Sequence, residues 1–133
     1  MQTRRNINIK RIHTDKRSIF RYWLEFLKPY HKLRPKEIEA LSLMLFYRYE
    51  FSLQVDNQEL INTLLFSEKT RVKIKKELND MDHKVFNNLL TSLRKKGVLI
   101  KDDKGNRINP VLVPNMTEDG FQLIFDFDIK NNA

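Results

Sequence analysis

Phe20, Trp23, Leu24 and Leu27 recur at i, i+3, i+4 and i+7, the spacing of one face of an α-helix. Ser18 is the expected N-cap of that helix and Pro29 its stop, because proline disfavours the helical conformation in the residue before it. A second helix is expected from Pro35, whose fixed φ suits a first turn, with Glu37 and Glu39 near the positive end of the helix dipole. Ile38, Leu41, Leu45 and Tyr49 make its buried row, and Leu43, Met44 and Phe46 widen it, so this helix should be central. Residues 56–59 have the Asp-x-x-Glu form of a capping box and open a short helix to about Phe66. Ser67 then caps a helix over 68–78 with Val72, Ile74 and Leu78 inward and Lys69, Arg71, Lys73, Lys75 and Lys76 outward. After a polar turn at 79–82, a helix over 83–96 turns Val85, Phe86, Leu89, Leu90 and Leu93 inward. Gly97 is its expected C′ residue, where a left-handed conformation costs glycine little.

Beyond Val98 the period shortens from helix-like to strand-like. Residues 98–100 predict a short strand, 101–106 carry turn chemistry, and 107–113 return as a second strand with Pro110 at an edge or bend. Phe121, Leu123, Phe125, Phe127 and Ile129 alternate on one face, which predicts a C-terminal strand over 121–129. At the other end, residues 1–17 hold Arg4, Arg5, Lys10, Arg11, Lys16 and Arg17 against one acid, Asp15. Ile7, Ile9 and Ile12 give no helical stripe of useful width, so this segment reads as a basic N-terminal arm ahead of a single domain over 18–133. Ile7 and Ile9 alternate with polar neighbours, so the arm can add a strand to a partner's sheet.

Charge sharpens this picture. Residues 1–50 carry 12 basic against 5 acidic side chains, residues 51–100 carry 9 against 6, and residues 101–133 carry 4 against 6. A basic front and a mildly acidic back imply one side that faces a polyanion or an acidic partner. The chain has no cysteine, hence no disulfide and no thiolate site. Its apolar runs are a few residues long, too short to span a bilayer, and no apolar segment follows the first five residues as a secretory signal requires. Synthesis in a reducing cytoplasm and no membrane partner are the expectations.

The order of elements predicts an α+β, helix-rich fold with a winged helix-turn-helix core: the helix pair over 68–96, the wing over 98–113 and the strand over 121–129. Residues 89–100, reading Leu-Leu-Thr-Ser-Leu-Arg-Lys-Lys-Gly-Val-Leu-Ile, resemble the end of the recognition helix and the first wing strand of many winged-helix proteins, and the likeness covers about residues 33–113. A recognition helix buries one face and offers the other to the major groove, and here the outward set is His83, Lys84, Asn87, Asn88, Thr91 and Lys95. Asn can read adenine with two hydrogen bonds, while Lys and Thr favour guanine or phosphate. Lys101, Lys104 and Arg107 on the wing can reach phosphate, and the arm can enter a minor groove. Asp80, Asp82, Asp102 and Asp103 oppose this, since they flank the helix and the wing tip. Winged helices also serve as protein–protein modules, so fold alone does not choose.

The whole chain further resembles a small protein of crAss-like bacteriophages. The likeness is carried by Arg21-Tyr22-Trp23-Leu24-Glu25-Phe26-Leu27-Lys28-Pro29, by Ser67-Glu68-Lys69-Thr70-Arg71, by Leu93-Arg94-Lys95-Lys96-Gly97-Val98, by residues 108–114 and by the closing Phe-rich segment. Such phages have short tails built on a portal with stacked rings of small proteins. The resemblance therefore implies a non-enzymatic virion component, a connector or ring protein at the head–tail junction, forming homo-oligomers and touching portal and neighbouring ring subunits. The alternative is a phage transcription regulator reading duplex DNA through residues 83–96. No catalytic, cofactor or metal site is expected. His13, His31 and His83 lack metal-ligand spacing, Gly97, Gly105 and Gly120 are isolated, and Asp126 and Asp128 read as a solvated strand face.

Overall fold

In the computed structural model, residues 9–117, 119–121, 124 and 129 are described, and their architecture is α+β and rich in helix. Six helices, α1 (Ser18–Phe26), α2 (Lys28–His31), α3 (Pro35–Ser52), α4 (Gln58–Leu65), α5 (Glu68–Glu77) and α6 (His83–Lys95), precede a hairpin of β1 (Leu99–Asp102) and β2 (Gly105–Ile108). A 3-10 turn, Pro110–Leu112, follows. The hairpin is antiparallel, with Leu99 opposite Ile108 and Asp102 opposite Gly105.

The core is one apolar cluster. It joins Phe20 and Leu24 of α1, Ile38, Leu41, Met44 and Leu45 of α3, Leu65, Ile74 and Leu78, Phe86, Leu90 and Leu93 of α6, and Val98, Leu99, Ile108 and Leu112. α3 is central, as its wide apolar surface predicts, and α1, α4 and α5 pack against it. Trp23 ties α1 to the segment that follows the hairpin, because its indole Nε1–H donates to the Leu112 carbonyl at 2.8 Å.

Several boundaries differ from the sequence expectation, each for a local reason. Ser18 does not cap α1. The Asp15 carboxylate accepts from the Ser18 and Arg17 amides at 2.7 and 3.0 Å, so the cap is supplied three residues earlier. Pro29 does not stop the first helix but sits in the first turn of α2, where its missing N–H costs nothing. His31 closes that corner: its Nε2 lies 2.6 Å from the Leu24 carbonyl and its Nδ1 accepts from the Leu33 amide at 2.9 Å. α4 is capped by Asn57, which accepts from the Leu60 amide, and not by Asp56. Ser67 caps α5 as expected.

Two residues placed inward are exposed. Val72 and Val85 point outward, and Thr70 takes the inward place on α5 at i−4 from Ile74. The second strand also ends earlier than expected. After Ile108 the Asn109 side chain accepts from the Val111 amide, which folds the proline segment into the 3-10 turn. The expected strand over 121–129 lies mostly outside the described residues, as do Arg4, Arg5, Asp126 and Asp128.

Candidate nucleic-acid interface

α6 is built as a well-terminated helix. The Asp82 carboxylate accepts from the Lys84 amide at its start. At its end Val98 N–H bonds the Leu93 carbonyl and Gly97 N–H bonds the Arg94 carbonyl, both at 3.0 Å, which is a Schellman closure. Gly97 has φ +76°, the left-handed conformation this closure requires. The connection from α5 uses the same conformation twice, at Asn79 (φ 58°) and Asp80 (φ 53°), two residue types that tolerate it.

The outward face of α6 contains the sequence-predicted set. His83, Lys84, Asn88, Thr91 and Lys95 are exposed and Asn87 is half-buried. Between His83 and Lys95 the helix carries no acidic residue. At the N-terminal end the set is linked to α5, since Lys75 Nζ lies 3.2 Å from His83 Nδ1 and the Asn87 side-chain amide lies 3.1 Å from Nε2. The Asn87 atom that faces Nε2 is the amide nitrogen, so the Asn87 side chain is engaged within this cluster.

The inward face is fixed by a buried carboxylate that the sequence reading treated only as a dipole partner. Glu37, 1% exposed, accepts from the Arg34 amide at 2.9 Å, from Ser92 Oγ at 2.7 Å and from Lys96 Nζ at 2.6 Å. Burial alone pushes its pKa up. The bonds from Lys96, the Arg34 amide, Ser92 and the Arg34 side chain outweigh that and hold it at about 2. The start of α3 is thereby pinned to the end of α6.

Two other groups of predicted residues are arranged differently from expectation. On the hairpin, Lys101 and Lys104 are exposed, but Arg107 is engaged by Asp102 at 2.5 Å. Asp102 also accepts from the Lys104 amide, and both contacts lower its pKa, that from Arg107 first. β2 packs beside α4, and Glu59, Asp102 and Asp103 line the groove between them, so the hairpin's surface is mixed in charge rather than basic. On the arm, Lys10, Arg11, Lys16 and Arg17 are all exposed, and the last two also touch the body. Lys16 Nζ stands 5.8 Å from the Tyr49 ring centre, and Arg17 lies over Phe46 and pairs with Glu77.

Residues the sequence reading left out of the interface adjoin it. Lys69, Lys73 and Lys76 are exposed on α5 at i, i+4 and i+7. Arg94 shares the α6 stripe of His83, Asn87 and Thr91, and it is half-buried, with its Nε shielded and without an acceptor. For Arg94, its helical spacing from Thr91 and Asn87 is the sequence signal. Among the described residues no group of three or more His, Asp or Glu is arranged to hold a metal ion, and no helix is long and apolar enough to cross a membrane. Comparison of the chain with protein-family models, with curated proteins and with solved structures found no match.

Proposed function

We propose that this chain is a non-enzymatic, winged-helix-type module that engages duplex DNA, with α6 as the helix that enters the major groove. The observation that carries this reading is the outward face of α6, acid-free from His83 to Lys95 and flanked by the lysine row of α5. Lys84 and Lys95 suit phosphate, and Asn88 suits a base edge. The test is fluorescence anisotropy with a selected duplex across a salt series. Lys84→Ala should weaken all duplexes alike and lower the salt slope by about one, while Asn88→Ala should cost about 1–3 kcal/mol at the preferred sequence only. Binding with no sequence preference at physiological salt would defeat the reading.

A second reading, a connector or ring protein at the head–tail junction of a phage particle, is favoured by a different observation. The wing's Arg107 is neutralised by Asp102, and the exposed arm carries Ile9 and Ile12, 74% and 48% exposed, which suit a protein surface better than phosphate. Quantitative mass spectrometry of gradient-purified particles tests it. A ring-like stoichiometry relative to the portal supports the connector, and absence from particles removes it.

A further inference from the structure

The N-terminal arm leaves the body at a fixed point. Arg17 Nη1 pairs with Glu77 Oε1 at 2.5 Å, and its guanidinium lies 4.6 Å from the centre of the Phe46 ring. The Tyr47 hydroxyl donates to the other oxygen of the same carboxylate. Lys16 over Tyr49 adds a third ring of α3 to the clamp, and Asp15 ties the same stretch to the first amides of α1. The chain therefore contacts α1, α3 and α5 at residues 15–17, on a stretch, 9–17, that is exposed throughout.

The position of Glu77 decides what the arm lies beside. At about 100° per residue, with Ile74 facing the core, Lys75 lies about 100° round toward α6 and Glu77 about 60° the other way. Lys76, Lys69 and Lys73 occupy the outer arc between them. The α6 face, the lysine row and the arm root thus follow one another around α5. Lys10 stands seven residues before Arg17, a reach of up to about 24 Å when extended.

We propose that Glu77 is a positioning residue: through Arg17 it fixes the arm's exit beside the lysine row, so that Lys10 and Arg11 contact the backbone of the same duplex that α6 engages. This rests on the DNA reading above. It makes a prediction of unusual sign, because deleting an acid beside a polyanion site should by charge alone strengthen binding.

The experiment uses the 133-residue chain and a 25-bp duplex carrying the sequence it prefers in selection, over a salt series. Simultaneous Lys10→Ala and Arg11→Ala should weaken binding about tenfold near 0.1 M salt and lower the salt slope by about two. Glu77→Gln should weaken binding several-fold in the wild-type background and not at all in the Lys10→Ala, Arg11→Ala background. Arg17→Lys, which keeps the charge and loses the planar fork, should behave like Glu77→Gln, and it serves if Glu77→Gln fails to fold by circular dichroism. Tighter binding by Glu77→Gln, or an equal effect in both backgrounds, overturns the arm proposal while the α6 reading stands. A wild-type chain that binds no duplex overturns both.

Discussion

Replacing Glu37 by Gln isolates the charge of the buried network, because the amide keeps the side chain's shape. Its oxygen can still accept from the Arg34 amide and from Lys96, and Ser92 can turn its hydroxyl to accept from the new NH2. What is lost is the ionic part of the bonds to Lys96 and Arg34. A carboxyl lowered from 4.5 to about 2 corresponds, at about 1.4 kcal/mol per unit, to roughly 3 kcal/mol favouring the folded, ionised form near neutral pH. Both cations retain water, with side-chain exposures of 32% for Lys96 and 72% for Arg34, so the expected loss is about 2 kcal/mol. That amounts to a fall of about 8 °C in the unfolding midpoint for a chain of this length. Because the folded-state pKa is depressed, this stabilisation is complete above about pH 4.5 and disappears as pH falls toward about 2. Urea denaturation of both proteins at pH 7 and at pH 2.5, followed by circular dichroism, checks it. The gap between them should be about 2 kcal/mol at pH 7 and largely closed at pH 2.5. Equal stabilities at pH 7, or a gap that ignores pH, would refute the assignment of Glu37 as an ionised clamp.

Three further outcomes are expected. Gly97→Ala meets no atom within 4 Å, so its cost is that of a left-handed alanine, about 1–2 kcal/mol by thermal unfolding. Thr70→Val keeps the buried volume but loses the hydroxyl bond to the Leu64 carbonyl at 2.7 Å; Ser67 still donates there, so urea titration should show a loss near 1 kcal/mol. Trp23→Phe leaves the Leu112 carbonyl without its donor and should lower stability by about 1–3 kcal/mol, with faster amide exchange over residues 109–113.

The legible parts of the fold are those that short-range physics decides. The α1 stripe, the Ser67 cap, Pro35 at the head of α3 and the Gly97 terminus depend on residues within one or two turns, and all are found where the pattern places them. Val72 and Val85 show the limit of periodicity. Each lies beside an inward row, and only the tertiary neighbours decide that Thr70 enters the core in place of Val72. The second strand expected over 107–113 is present but ends at Ile108, because the Asn109 side chain accepts from the Val111 amide and turns the chain at the proline where a bend is expected. Glu37 was hidden for a different reason. A glutamate at the third helical position is ordinary sequence chemistry, and two of the donors that bury it, Ser92 and Lys96, stand 55 and 59 residues away. The arm divided in the same way, since Arg17 finds Glu77 only after α3 and α5 are packed.

The candidate interface follows from these long-range contacts as much as from α6 itself. Glu37 holds the inward side of the helix's last turn, and the Lys75, His83 and Asn87 chain holds its first. A helix fixed at both ends presents Lys84, Asn88, Thr91 and Lys95 from a set backbone, so a partner would have only their side chains left to order. The acids flanking this face divide into two kinds. Asp82 is occupied as the N-cap and Asp102 by Arg107 and the Lys104 amide, while among the described residues no ion pair involves Asp80 or Asp103. Those two carboxylates repel any phosphate that approaches and weaken sequence-independent attraction before they weaken a well-docked complex, in which base contacts compensate. Under the DNA reading proposed above, a face arranged in this way would sacrifice non-specific affinity and keep discrimination. Substituting Asp80 and Asp103 by Asn should therefore tighten binding to arbitrary duplex more than to a selected one, measured by anisotropy at one salt concentration; an equal gain for both would show that the acids play no part in selectivity.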